Sequence, residues 1–398
     1  MLTESGIRDR RIEWVRETSR GETPADPAWQ LFSDRMINFE ANAAAQYDDS
    51  YAIGDEDPKA IERGPEDHTL TVGWRLQRWF VDGGGAAQDP AGYGLVRNAD
   101  HALESLSVLD REDRHSGGAD ANGFRLYTHA VGAVAGTVTI TLDPDTGEPI
   151  PVSVEFTCEK IRSYRIDQPA APTTLQVVSS DPADATQTVT IEDDGGATSE
   201  DVALNGDTPV TTVATFASID AVHLDGEAIG DVTISDGAGT IYMVIRGSAS
   251  YQGIEGDLGV PSLGGGSRGA AIGTTFEKFI DDSITRGGSA LAVDIVSGEI
   301  RVDNGLDTSP RGGTYRRRIE AGQRQTEMTS TLVGEAQSHD DWEDHLRQVE
   351  SDIVWTASGG TITLSSATLR EAGARAIAPD LVIAQRDNTF RAQGIVVA

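Results

Sequence analysis

Between Gln325 and Val333 the side chains alternate: Thr326, Met328, Ser330 and Leu332 fall on one side of an extended chain, Glu327, Thr329, Thr331 and Val333 on the other. That period of two belongs to a strand buried unequally on its two faces. Similar stretches, bounded by turns rich in Gly, Pro and Asp, recur along the sequence, which predicts a mainly β protein. One helix is predicted, from Ser338 to Ile353. Ser338 is a good N-cap, Asp341 stands at the capping-box position, and Asp340, Glu343 and Asp344 add negative charge near the positive end of the helix dipole. Trp342, Leu346, Val349 and Ile353 then make one apolar stripe suited to lying on a sheet.

The chain of 398 residues is long for one domain. Its 32 Lys and Arg face 64 Asp and Glu, a net charge of -32, and only Lys59, Lys160 and Lys278 are lysines. An acidic, lysine-poor surface of this kind is expected of a protein that stays hydrated in molar salt, where the Debye length is about 3 Å and charge cannot steer distant partners. The same charge argues against a reader of nucleic-acid sequence, which needs clustered Lys and Arg. It leaves room for a channel that DNA passes through without specific binding. Cys158 lies in the alternating run Val152, Val154, Phe156, Cys158 and is expected in a core. Residues 1–20 are charged throughout, unlike a signal peptide, and no apolar run approaches the roughly 20 residues of a membrane span. A soluble protein with no membrane partner is expected.

In chain order, residues 35–67 are polar with few apolar anchors and read as a loop or insertion. Strand character follows at His68 to Phe80. Leu103, Leu106 and Leu109 suggest a brief helix. Three strands are predicted at Phe124 to Val131, Ala135 to Leu142 and Ile150 to Ile166. Pro169-Ala170-Ala171-Pro172 reads as a stiff linker, followed by about seven short strands with turns at Asn205-Gly206-Asp207 and Asp225-Gly226, the pattern of an immunoglobulin-like β-sandwich. The first kind of strand resumes after Gly247. The expected organisation is a core in two parts, residues 1–168 and 249–398, with residues 169–248 inserted as a sandwich that projects outward.

Sites of chemistry are hard to find. Gly264 to Gly269 matches both a dinucleotide fingerprint and a nucleophile elbow, but glycine runs match most glycine patterns and Leu258-Gly259-Val260-Pro261 is not the buried strand either needs. Asp143, Asp145 and Gly147 begin like a calcium loop, yet Val154 stands where the closing Glu belongs. His339 and His345 are six apart and share no helix face. No catalytic, cofactor-binding or metal residue is therefore nominated, and no enzyme is expected. The remaining charged feature is Arg316, Arg317 and Arg318, which on a strand present two guanidinium groups to one face and one to the other. They read either as a solvated hairpin face or as partners for a neighbour's carboxylates.

Two phrases carry a family resemblance. Asp303-Asn304-Gly305-Leu306 precedes the hairpin loop 308–318, and Ile319-Glu320-Ala321-Gly322-Gln323-Arg324 leads into the long strand. Near the N-terminus stand Gly21-Glu22-Thr23-Pro24 and then Pro27 and Trp29, an extended segment that reads as a surface loop or as an arm on an adjacent subunit. With these phrases the sequence resembles the tail tube (major tail) proteins of long-tailed viruses. The resemblance implies a tail-tube β-sandwich or barrel with one flanking α-helix and a long inter-subunit hairpin, here with the immunoglobulin-like insert. It also implies a structural virion protein that assembles in the host cytoplasm into stacked, hexameric rings. Implied partners are further copies of itself, the tape-measure protein, other tail proteins, and viral DNA passing through the lumen. Arg316, Arg317, Arg318, Pro24, Pro27 and Trp29 become inter-subunit contact candidates, and the acidic composition points to a halophilic archaeal host. The alternative is a virion surface adhesin or decoration protein that binds the host through its immunoglobulin-like domain.

Overall fold

The computed structural model describes residues 7–50, 60–98, 100–114, 123–143, 148–193, 198–251, 255–262, 272, 276–279, 282–290, 295–310, 316–333, 346–372 and 385–398. The first part of the chain supplies β1 (Ile7–Arg16), β2 (Gln30–Leu31), β3 (Met36–Ser50), β4 (Ala60–Arg75), helix α1 (Gly92–Leu95), β5 (Leu106–Arg114), β6 (Phe124–Leu142), β7 (Pro151–Cys158) and β8 (Lys160–Asp167). A second unit contains β9 (Gln176–Ser179), β10 (Thr188–Glu192), β11 (Ser199–Ala203), β12 (Val210–Thr211), β13 (Ala221–Leu224), β14 (Val232–Ser235), β15 (Ile241–Ile245) and β16 (Gly259–Val260). The rest adds β17 (Ser283–Arg286), β18 (Ser289–Ala290), β19 (Ile295–Asp303), β20 (Asp307–Pro310), β21 (Arg317–Glu320) and β22 (Gln325–Val333). It ends with β23 (Glu350–Ala357), β24 (Gly360–Ala372), β25 (Gln385–Ala392) and β26 (Gly394–Val397). The protein is mainly β.

First and last parts share one 16-stranded sheet, ordered β18-β17-β23-β24-β25-β22-β19-β6-β5-β1-β2, with β26 on β24 and β8, β7, β4 and β3 branching from β6. Among the described residues its strand pairs are all antiparallel, and β6 is its pivot. One half of β6 pairs β5 and β8, the other pairs β19 and β7. Two strands are expected here from sequence, but the backbone makes a single strand of 19 residues. It turns at Gly132, φ 64°, where a Cβ would sit 2.6 Å from Glu159 Cγ. Glu159 itself divides the third expected strand into β7 and β8.

The sheet curls so that strands from both ends of its order meet in one core. Trp14 of β1, Trp74 of β4, Val154 and Phe156 of β7, Met328 of β22, Trp355 of β23 and Phe390 of β25 are all buried there. Trp79 packs edge-on against Trp355 at 5.2 Å between ring centres and donates to the Ala398 carbonyl at 3.2 Å. Cys158 is in this core, as expected, and burial pushes its thiol pKa upward. The alternation in β22 also holds: Thr326, Met328 and Ser330 are buried and Thr329 is exposed.

Three expectations are corrected. Residues 35–67 are not a loop: β3 and β4 form a long hairpin whose register runs from Met36↔Trp74 to Ser50↔Ala60. Leu106 and Leu109 are not helical but lie on β5. A bulge after Leu106 and burial on both faces, Leu106 and Val108 in the main core and Leu109 in a second, imitate a helical spacing. The helix predicted from Ser338 to Ile353 falls largely outside the described residues, Trp342 and His339 included. Its described end does not fit the stripe. Leu346 and Arg347 are helical, Gln348 takes φ 52°, and Ile353 is buried on β23 instead, because Ile353 and Trp355 satisfy a strand's period of two. Leu346 remains exposed.

The seven short strands expected after the Pro-rich linker are all present. Together with β16 they form two four-stranded sheets, β11-β10-β13-β16 and β12-β9-β14-β15. Pairing of Gly259–Val260 with Val222 and His223 keeps the chain in this unit beyond residue 248. Its core of Val177, Val189, Ile191, Phe216, Val222, Val232, Ile234 and Ile245 is continuous with Val15, Leu109, Tyr127 and Ile166 of the large sheet. A buried ion cluster crosses the same junction. Fully buried Asp220 accepts from Tyr127 at 2.6 Å and from Arg125 at 3.1 Å, with Arg111 at 3.5 Å.

Candidate assembly surfaces

The hairpin of β3 and β4 is supported on one side only, and only near its root. β7 pairs β4 from Arg75 to His68 and stops at His68↔Cys158, whereas β3 and β4 stay paired to each other out to Ser50↔Ala60. At about 3.4 Å per residue, the two strands run roughly 25 Å past the end of β7 as an arm. Ala41, Asn42, Ala43 and Ala44 are exposed on both faces of β3, and among the described residues β3 has β4 as its one sheet partner. Of the strands with a single sheet partner, β2 and β18 are two residues each, β26 four and β8 eight, so β3, with fifteen, offers the longest strand edge of this sheet. With both faces in solvent such a segment lacks the apolar alternation that announces a strand. The signal that remains is fifteen residues, Met36 to Ser50, without Gly or Pro.

The expected hairpin is present as β20 and β21, paired from Asp307↔Glu320 to Pro310↔Arg317. Residues 311–315 lie outside the described residues. Its root is anchored by Ile319, buried with Leu103 and Val134, and by Arg20, whose guanidinium donates to the carbonyls of Ile319 and Leu103. The three arginines have different surroundings. Arg316 pairs with Glu255 at 2.5 Å and reaches the Gly21 carbonyl at 3.2 Å. Arg317 pairs with Asp67 at 2.6 Å. Arg318, with its side chain 66% exposed, pairs along the hairpin with Glu320 at 2.6 Å.

The N-terminal candidates lie within the subunit to differing degrees. Trp29 is buried in the second core and donates from Nε1 to the Ser262 carbonyl at 2.9 Å. Pro27 is buried and Pro24 half-buried. Nearby Glu17 holds the loop, accepting from the backbone of Gly21 and Gly132 at 2.8 Å each and from Ser105 and Ser107 at 2.7 Å each.

Arg316 leads into a buried ionic chain. Glu255 also faces Lys160 at 3.3 Å, and Lys160 faces Asp257 at 3.4 Å. Arg162 then bridges Asp257 at 3.1 Å and Glu66 at 2.9 Å, and Glu66 contacts His68 at 2.8 Å. Burial pulls the Lys160 pKa down against the pull of both carboxylates, while the neighbouring cations hold Glu255 below its ordinary value despite its burial. No sequence pattern marks this chain, since its members come from four distant segments, though Lys160 stands out as one of three lysines.

The phrase around Asn304 has a structural role. Asn304 is fully buried; its amide donates to the carbonyls of Gly94 at 3.0 Å and Ala135 at 3.1 Å. A Cβ on Gly94 would fall 2.5 Å from Val138 Cγ2, so only glycine allows α1 this close to β6. Gly305 turns the chain at φ 56°. The calcium-like turn lies mostly outside the described residues, as do Gly264 to Gly269, His339 and His345. Among the described residues no helix is long and apolar enough to cross a membrane.

No curated protein matches this sequence. A family model described as phage tail tube protein, however, matches residues 8–392, nearly the whole chain including the second unit, and the protein belongs to that family.

Proposed function

We propose that this structural tail tube protein polymerises as stacked, hexameric rings, and that the β3–β4 arm is the element by which one subunit lies on another. The observation that carries the reading is the arm itself: a two-stranded ribbon that continues past the last β4–β7 pair, with Ala41 to Ala44 of β3 in solvent at its root. An isolated ribbon is marginal in water, so a ribbon of this length gains stability by docking. The β20–β21 hairpin, through exposed Arg318, is a second contact toward a neighbour. The tube encloses the tape-measure protein and later conducts the genome from the virion. Its acidic surface, with net charge -32, suits assembly in the concentrated salt of a halophilic host, where like-charged surfaces approach once screened. Residues beyond Pro169 form an insert that faces away from the lumen, which must stay open for DNA.

The test replaces residues 46–65 with an Asn-Gly turn joining Ala45 to Glu66, a connection matched to antiparallel strands. Electron microscopy in molar salt should show tubes from the parent chain and folded, unassembled subunits from the variant. Normal tubes without the arm would overturn the assignment.

A further inference from the structure

We propose that the second unit acts as a brace for the β3–β4 arm, and that the ionic chain from Glu66 through Arg162 to Asp257 sets the direction in which the arm leaves the subunit. The inference rests on reading the arm as the assembly element, but it concerns the geometry of the lone subunit. The last supported pair of the arm's root is His68↔Cys158. The next two residues toward the tip are Asp67 and Glu66, and both are held by cations from other elements. Glu66, 4% exposed, is held by Arg162 of β8 at 2.9 Å; Asp67 is held by Arg317 of β21 at 2.6 Å.

Neither cation acts alone. Arg162 is held in turn by Asp257, whose other oxygen accepts from Tyr251 at 2.8 Å, and its guanidinium stacks on the Tyr251 ring at 5.4 Å. Lys160 ties the segment down, donating to the Gly256 carbonyl at 2.9 Å between its two carboxylates. Two residues past Asp257, Gly259 enters the sheet of β13. The segment that holds Arg162 is thus built into the second unit, and Arg316, just beyond the last pair of the β20–β21 hairpin, joins the hairpin to the same Glu255. Lys160, Arg162, Arg316 and Arg317 balance Glu66, Asp67, Glu255 and Asp257, so the junction carries little net charge in a strongly acidic protein.

A ribbon supported only at its root pivots there, and its direction depends on what grips the first unsupported residues. Exposed ion pairs are screened in concentrated salt, whereas buried ones keep their strength. A buried chain between arm and second unit is therefore a grip that survives at the salt where assembly takes place. On this reading the second unit serves tube formation by aiming the arm, beyond any role at the outer surface.

The experiment places spin labels at Ser50→Cys on the arm and Val213→Cys on the second unit, where Val213 is 92% exposed and the native Cys158 is buried. Distances are measured on dilute, unassembled subunits in molar salt. A single narrow distribution is expected from the parent, and one at least twice as broad from Arg162→Lys, which keeps the charge but loses the fork that grips Glu66 and Asp257 together. Arg317→Gln should broaden it less, and Arg318→Gln, outside the chain, not at all. Equal narrow distributions in folded Arg162→Lys and Arg317→Gln would overturn the brace, as would a broad parent distribution. If Arg162→Lys does not fold, Arg317→Gln decides, because its partner Asp67 is partly exposed and its loss is tolerable. Failure of the arm-replacement test leaves this measurement intact, so the two readings can fall separately.

Discussion

Arg324 donates from Nε to the side-chain oxygen of Asn304 at 2.9 Å. Two residues from the phrases that carry the family resemblance are thus one hydrogen-bonded unit, Asn304 buried and Arg324 half-buried. Arg324 also donates to the carbonyls of Leu95 at 3.0 Å and Gly94 at 3.1 Å, so the pair fastens α1 and both ends of the β19–β22 connection to β6. Burial, and then the nearby Arg97, bring the Arg324 pKa down to about 10, which still leaves it charged at neutral pH. Asn304→Ala removes the carbonyls' donor and the guanidinium's acceptor together. A loss of about 2–4 kcal/mol is expected, read as a lowered urea midpoint at constant salt.

Much of the architecture was legible because alternation and turn chemistry report burial on one face. β22 and the seven short strands were read in this way, and each has one wet face or a clear Asp-Gly or Asn-Gly turn. Segments wet or buried on both faces were misread. β3 faces solvent at Ala41 to Ala44 and looked like a loop; β5 lies between two cores and looked helical. Asn304 and Arg324 stand in the two phrases that carry the resemblance, but the Gly94 carbonyl they both reach lies on α1, a four-residue helix too short to leave a periodicity. The ionic chain was invisible because Glu66, Lys160, Glu255 and Arg316 meet only after folding.

Asp220 supplies the next prediction. It is fully buried at the junction of the second unit with β5 and β6, and Tyr127, Arg125 and Arg111 converge on it. Asp220→Asn keeps the shape while leaving two buried guanidinium groups undercompensated. Removing one partner of a buried ion pair costs about 3–5 kcal/mol. Because the second core is shared between the units, the parent should unfold in urea as one transition. The variant should show a lower midpoint, and a separate early transition would mean that the shared apolar core alone does not couple the units.

Asp89 should make stability fall as pH rises. It is completely buried and desolvation raises its pKa to about 7, against the opposing effects of the Ala91 backbone donor, Arg78 and the Trp74 indole. The folded state therefore holds a proton that the unfolded chain releases near pH 4. The stability this contributes is complete below pH 4 and is lost as pH climbs to about 7. His129, whose pKa burial lowers to about 3, has the opposite slope over much of that range, so the parent's profile alone is ambiguous. The difference between Asp89→Asn and parent isolates the effect. The variant's melting temperature relative to the parent's should rise by several degrees from pH 4.5 to pH 7.5, and a constant difference would show that Asp89 is ionised throughout.

The arginine triplet should divide into one assembly residue and two structural ones. Arg318 is the most exposed of the three and pairs with Glu320, itself 55% exposed. Such a pair contributes about 0–1 kcal/mol, and less in molar salt, so Arg318→Glu should leave the urea midpoint within experimental error. Arg316 faces a Glu255 side chain that is only 6% exposed. Arg316→Glu places two carboxylates together in a poorly hydrated site and should cost the subunit about 2–4 kcal/mol. If the hairpin docks on a neighbouring copy, Arg318→Glu should abolish or shorten tubes in sedimentation and electron microscopy while the subunit's circular dichroism is unchanged. Full-length tubes from Arg318→Glu would assign the whole triplet to the inside of the subunit and leave the arm as the contact between copies.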